Sequence, residues 1–188
     1  MTKAQLNTFL AGFKLTSTGD IEDVGSSDVR RKLLVHYIKK EGDAAYEMLG
    51  YKQESLSVSS NYDSSEKTDV TGATYTDVAS KAEKIEMSEY HINPAATKFL
   101  EEAIKLKLSD QEEDMQNYII LTVYGFLRNG DGACLATEET GCTLLLDNLG
   151  GQGFTTNDVN ITLSGVKKYG TVAEITKTPT FTEAQAAA

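Results

Sequence analysis

The stretch LLLDNLGGQGF, residues 144–154, sets three leucines against a cluster of glycines and decides between a nucleotide site and a sheet. A phosphate-binding loop would need the Lys-Ser/Thr pair of a P-loop or the G-x-G-x-x-G spacing, with a helix after it. Neither signal is present, and the following FTTNDVNITLS, residues 154–164, alternates in the manner of a strand. The glycines are therefore predicted to turn the chain between two strands.

The sequence on either side of the glycines also predicts sheet. YIILTVYGFL, residues 118–127, is typical of a buried strand, and NGDG after it predicts a hairpin with a type I′ turn. CTLLLDNL, residues 142–149, is then the returning strand. DVNITLS, residues 158–164, alternates apolar and polar residues, and GTVAEIT, residues 170–176, is predicted to pair with it.

The first half of the chain gives weaker signals. RRKLLVHYI has helical spacing after Ser27 and Asp28, yet its centre is rich in strand formers. We favour a strand over residues 33–39, with AYEMLG, residues 45–50, as its partner. ESLSVSS and KIEMSEYHI also predict strands.

One helix is predicted, over about residues 94–108, because Asn93 suits an N-cap and Pro94 suits the first helical position. Its apolar residues recur at helical spacing. We expect four of them to pack against the sheet: Phe99, Leu100, Ala103 and Ile104. The predicted fold is therefore mainly β, a two-sheet β-sandwich or curved-sheet subunit with one flanking α-helix.

Residues 61–82 contain almost no aliphatic side chains and are predicted to form a long loop. A structureless loop of that length inside a compact domain is unusual, and is generally either disordered or used to bind something. Residues 1–27 are small, polar and weakly patterned, so we treat them as an N-terminal arm whose structure the sequence does not fix. The domain proper is predicted over residues 28–182, and residues 183–188 form a C-terminal tail.

Composition limits the classes of function. The chain has 188 residues, 40% of them hydrophobic, and no apolar run near the ~20 residues of a membrane span. This composition predicts one domain without a membrane segment. The net charge of −10 is opposite to what tight binding to nucleic acid requires.

Residues that usually carry chemistry are few. With no export signal, Cys134 and Cys142 are expected to be reduced thiols, although a bridge between them stays open. His36 and His91 each lie in a predicted strand, without a recognisable catalytic partner. We expect no catalytic residue, no metal site and no cofactor, so the protein is predicted not to be an enzyme.

The order of these segments resembles that of the major tail protein, or tail tube protein, of bacteriophages and of phage-tail-like particles. The resemblance runs from about Val29 to Thr182 and is carried by the succession of its pieces. These are RRKLLVHYI, YEMLGYKQESLSVSSNYDSSEKTDVTGATYTDV, EYHINPAATKFLEEAIKL, CLATEETGCTLLLDNLGGQGF, NITLSGVKKYGTVAEIT and a terminal FT.

The resemblance implies a subunit that self-assembles into hexameric rings, stacked into a hollow tube through which DNA passes without tight binding. The long loop would then reach the adjacent ring, through residues Asn61, Tyr62, Asp63, Glu66, Lys67, Asp69 and Tyr75. The implied partners are further copies of the chain, a tape measure protein, a tail terminator and distal tail or baseplate proteins. The implied location is the virion tail, after synthesis in the bacterial host cytoplasm.

Two alternatives stay open. The same sandwich could serve as a non-enzymatic binding or adhesion module, or, less favoured, as an enzyme built around His36 or His91. The resemblance also leaves the kind of tail open, whether long and flexible, contractile or of the bacteriocin type.

Overall fold

The structure is a computed structural model that describes residues 1–16, 33–50, 56–68, 70–93, 97–151 and 155–185. For residues 61–65 and 75–81 it describes the backbone alone. A 3₁₀ turn spans Glu112–Asp114. The helices are α1 Lys3–Ala11 and α2 Lys98–Leu108; the strands are β1 Lys14–Leu15, β2 Leu34–Lys40, β3 Glu47–Met48, β4 Ser57–Thr68, β5 Thr74–His91, β6 Tyr118–Arg128, β7 Cys134–Gly150, β8 Thr156–Thr162, β9 Lys167–Val172 and β10 Phe181–Glu183.

All strand pairs are antiparallel and belong to two parts of one sheet that share β7. The first part has the order β3-β2-β6-β7-β9-β10, with β1 paired to the end of β6. The second has the order β7-β8-β5-β4. Gly141, at φ +72°, lies where β7 passes from one part to the other, in a conformation that glycine adopts without strain. The prediction of a mainly β fold is confirmed.

Two clusters of buried apolar side chains form the core of the protein. The first collects side chains from both parts of the sheet and from α2, among them Ile120, Leu144 and Ile161. The second lies on the other face of β2, β6 and β7 and includes Leu121 and Val123. Since neighbouring residues of β6 enter different clusters, this strand is covered on both faces.

Helix α2 begins later than predicted. Thr97, at φ −139° and ψ 52°, is the N-cap in place of Asn93. Its backbone N–H and its hydroxyl both donate to the Asn93 carbonyl, at 2.8 and 2.9 Å. Pro94 lies outside the described residues. Within α2, Phe99, Leu100 and Ala103 are buried, and Ile104 packs partly buried against the first cluster.

The N-terminus adds a second helix to the single one predicted. Thr2 and Gln5 form a reciprocal capping box at the start of α1, an arrangement that satisfies two orphan backbone donors. The small and polar composition of this segment hid that signal. Helix α1 has no buried residue, and β1 fixes the segment after it to β6.

Two predicted pairings also differ. Strand β9 pairs with β7 and β10 and not with β8, because β5 and β7 already occupy both edges of β8. The β6–β7 connection is a hairpin, as predicted, but not of type I′. Among its residues only Gly132 has a positive φ, and the Asn129 side-chain oxygen accepts from the N–H groups of Asp131 and Ala133. An Asx-type turn with glycine in the left-handed position therefore replaces the mirror-image turn.

Other predictions agree with the structure. Strand β2 pairs with β3 through Tyr37 and Met48, as expected for AYEMLG. Gly150 faces Thr156 across the β7–β8 pair, so the glycine cluster does lie between two antiparallel strands. Gln152 and Gly153 lie outside the described residues. Both cysteines are free and buried.

Candidate assembly surfaces

The predicted loop over residues 61–82 is instead the outer part of a long β-hairpin. We call this part of the hairpin the arm, which is distinct from the N-terminal arm of residues 1–27. Its two strands pair with each other from Asn61 and Ala82 out to Thr68 and Thr74. Strand β5 gains its second partner, β8, only from Lys84 onward. At about 3.3 Å per residue, the arm extends roughly 25 Å beyond the shared part of the sheet.

The arm forms strands because its residues favour extended backbone even without aliphatic side chains. Threonine, tyrosine and valine are strand formers and recur along the segment. Gly72, at φ +84°, supplies the left-handed residue that its turn needs. Low aliphatic content therefore indicated uncovered faces, and the prediction of a structureless loop was wrong.

The residues predicted to reach a neighbouring ring all belong to the arm. The backbone of Asn61, Tyr62 and Asp63 lies on β4 and that of Tyr75 on β5. Glu66 and Lys67 are exposed near the tip, and Asp69 lies outside the described residues.

Sequence reasoning missed Val70, which is fully exposed at the tip of the arm. Glu66, Lys67 and Thr68 are exposed too, although consecutive strand residues point to opposite faces. The outer part of the arm is thus uncovered on both faces. Val70 is one of only two valines in this polar segment, and that scarcity was the signal that could have singled it out.

The arm joins the body of the protein at a cluster of charged side chains. Lys167 on β9 forms ion pairs with Glu83 of β5 and with Glu139 of β7, the latter at 3.1 Å. Burial would lower the pKa of Lys167, but its hydrogen bond to Glu83 and the charge of Glu139 outweigh burial and raise it. The arm's root is therefore tied to strands of the first part of the sheet.

The outer face of β8 is polar. Asp158 lies opposite two bulges, one in β5 and one in β7. Its carboxylate accepts from the Glu89 backbone N–H and from Asn148, both at 2.8 Å, and these two bonds lower its pKa. Asp147 on the adjacent strand pairs with Asn160. This face presents carboxylates held in fixed positions.

The open edges of the sheet are unequal in length. Strand β3 has two residues and β10 has three, whereas β4 has twelve. Within the described residues, no strand pairs with the outer edge of β4. A long unpaired edge offers a row of backbone donors and acceptors to another chain. Strand β4 contains no proline that would block this edge.

The histidine and cysteine side chains, which could take part in catalysis or metal binding, are spread over three strands. His36 is buried and its Nδ1 lies 2.9 Å from the hydroxyl oxygen of Thr122, while His91 is half-buried at the end of β5. Burial raises the pKa of the Cys134 thiol, and raises that of Cys142 to about 11. The described part of the chain has no group of three metal-ligating side chains and no helix long and apolar enough to cross a membrane.

No family model and no curated protein matches this chain. The solved structures that are similar to it include three from contractile injection systems or an anti-feeding prophage. The extracellular contractile injection system PVC sheath-tube complex in its extended state gives 12% identity and a TM-score of 0.48, covering 79% of this chain and 95% of that chain.

The second is the anti-feeding prophage cap, the AFP tube terminating cap, with 13% identity and a TM-score of 0.47, covering 83% of this chain and 99% of that one. The third is the PVC sheath/tube terminator in the extended state, with 11% identity and a TM-score of 0.44, covering 78% and 99%.

Proposed function

We propose that the chain is a structural subunit, without enzymatic activity, that self-assembles into stacked rings and so forms the hollow tail tube of a phage or phage-tail-like particle. The observation that supports this most directly is the arm with its open β4 edge. It is a long hairpin whose outer part is uncovered on both faces and whose twelve-residue outer strand has one edge that pairs with no other strand in the described chain. Further copies of the same chain would supply the strand partner and the covering side chains that this surface lacks.

Stacking follows from the shape of the arm. A contact between its tip and a different surface of the next copy is heterologous, and heterologous contacts build rings and open helical assemblies. The ring number of six is taken from the sequence resemblance. The same resemblance supplies the other partners: a tape measure protein, a tail terminator and distal tail or baseplate proteins.

The charge of the chain suits passage of DNA. The net charge is −10, and Asp147 of β7 and Asp158 of β8 lie on neighbouring strands. An acidic lumen repels the phosphate backbone, so that DNA moves through without tight binding. The subunit would be made in the cytoplasm of the bacterial host and reside in the virion tail.

The test removes the arm while keeping its root. Residues 62–81 are replaced by an Asn-Gly turn between Asn61 and Ala82, which already face each other in the hairpin. We expect a folded monomer whose melting temperature is unchanged and which forms no tubes, as judged by negative-stain electron microscopy and sedimentation. The wild-type chain should form rings or tubes under the same conditions.

A matched pair of point variants refines the test. Val70→Glu changes the tip of the arm, and Leu108→Glu changes an exposed leucine at the C-terminal end of α2. We expect the first to block stacking and the second to leave it intact. Normal tubes from the truncated chain, or a wild-type chain that stays monomeric at high concentration, would contradict the proposal.

A further inference from the structure

We propose that Lys167 is a positioning residue that fixes the direction in which the arm leaves the body of the protein. The surface that the arm contacts is part of the proposed function, and this inference rests on that function only for the contact. The direction of the arm within a single subunit does not depend on it. The inference is carried by the ion cluster at the arm's root, formed by Lys167, Glu83 and Glu139.

The position of the cluster links the two parts of the sheet. Glu83 follows the arm's last residue, Ala82, and faces Ser60 across the hairpin. The Ser60 hydroxyl donates to Glu83 Oε1 at 3.2 Å, so both strands of the root join the cluster. Lys167 is the first residue of β9 and faces Glu139 of β7. One ammonium group therefore connects the arm to two strands of the first part of the sheet.

The cluster is shielded from water. The side chains of Lys167, Glu83 and Glu139 are 24%, 15% and 6% exposed. The Gly165 backbone N–H also donates to Glu139 Oε2, at 3.2 Å. Charges in such surroundings are screened little by salt, and an ammonium group can donate to both carboxylates at once. Without Lys167, Glu83 and Glu139 would lose the ammonium group that they share.

The arm magnifies any change at its root. For an arm of roughly 25 Å, a rotation of about 10° at the root moves the tip by about 4 Å. That distance is larger than a hydrogen bond, so a tip that must meet a defined surface needs a fixed root. Strand β8 pairs with β5 from Lys84 onward, and the Leu163 backbone N–H donates to the Glu83 carbonyl at 2.9 Å, so the ion cluster adds a side-chain contact at the last residue that the body holds before the arm.

Lys168 provides a matched control. It is the next residue of the same strand and also forms an ion pair, with Glu183 at 3.2 Å, but both side chains are about half exposed. An exposed pair of this kind contributes little to structure. Loss of Lys168 removes the same charge from the chain without touching the arm's root.

The experiment measures the arm's direction in dilute monomers. Spin labels are attached to Val70→Cys at the tip and Glu113→Cys on the body, both exposed positions, while the native thiols are buried. Electron–electron resonance then gives the distribution of the distance between them. We expect one narrow distribution for otherwise wild-type protein and for Lys168→Met, and one at least twice as wide for Lys167→Met.

Two further variants keep the test decisive. Lys167→Arg retains the charge and should restore the narrow distribution. If Lys167→Met does not fold, Glu83→Gln removes one carboxylate charge at nearly constant shape and should also broaden the distribution. Equal widths for Lys167→Met and Lys168→Met, or a broad distribution in the wild-type background, would overturn the inference. Because monomers are measured, failure to form tubes would count against the proposed function and not against this role of Lys167.

Discussion

Strand β6 and the arm have the same backbone geometry and opposite surroundings. Strand β6 alternates its side chains between two apolar clusters, and Tyr118, Ile120, Leu121 and Val123 are all buried. In the outer arm, the side chains that the structure describes are exposed on both faces. A β-ladder therefore needs only compatible backbones and a suitable turn, whereas its stability comes from what covers it.

The difference has an energetic meaning. Each fully buried aliphatic or aromatic side chain stabilises a fold by about 1.5–3 kcal/mol, and the outer arm shows none. A two-stranded hairpin alone is marginally stable in water at best. The arm is thus expected to depend on contacts from outside its own subunit, while β6 depends on contacts within it.

The largest effect on stability should come from opening a cavity beside β6. Leu121→Ala removes a fully buried side chain and should lower the free energy of unfolding by about 2–5 kcal/mol. Val70→Ala at the tip should change it by less than about 0.5 kcal/mol. Urea unfolding of dilute monomers measures both. Equal losses from the two variants would show that the arm is covered within its own subunit.

A smaller effect is expected from adding a methyl group at Gly170, where β9 lies close to β10. A Cβ at Gly170 would lie 2.2 Å from the Thr182 carbonyl oxygen and 2.7 Å from the Phe181 ring. Gly170→Ala should therefore cost about 1–3 kcal/mol through overpacking of β9 against β10. Gly130→Ala, where nothing lies within 4 Å, is the control. Thermal melts in which both variants match the wild type would contradict this account of the packing.

The smallest effect should be a loss of stability at high pH. Burial raises the pKa of Cys142 from 9.0 to about 11, so the folded chain keeps the thiol proton that the unfolded chain loses. This contribution is complete below pH 9 and is lost as the pH rises to 11.

Melting temperatures between pH 8 and 11 should therefore fall less steeply in Cys142→Ala than in the wild type. Burial also raises the pKa of Tyr37 and of Tyr118, each to about 12, so part of the fall remains in both proteins. Identical slopes would contradict a buried, protonated Cys142.

Sequence patterns predicted those parts of the fold in which local and tertiary preferences agree. The runs around β2, β6 and β8 alternate or are apolar throughout, and each forms a strand close to its expected bounds. The partner of β9 was not predictable, because pairing depends on which edges of β8 are already occupied. The start of α2 was missed because the Thr97 hydroxyl accepts from the Asn93 backbone N–H and donates to the Asn93 carbonyl, a pair of contacts that the spacing of Asn93 and Pro94 did not indicate.

Only part of the candidate assembly surface could be predicted from the sequence. The position of the arm followed from its unusual composition, but its hairpin structure did not, since a strand covered on neither face lacks the apolar alternation used to find strands. The cluster at its root was hidden for a different reason. Glu83, Glu139 and Lys167 are far apart in sequence and are brought together by pairings that involve β7.

Hydrogen exchange of the arm amides, compared between dilute monomers and assembled protein, tests the central claim most directly. If copies of the chain supply the missing cover, the arm hairpin is formed in the monomer but opens often, so amides of residues 61–82 should exchange faster there than those of β6 and become strongly protected on assembly, while those of β6 stay protected in both. Arm amides that are as protected in the monomer as those of β6, or that gain no protection on assembly, would contradict the account.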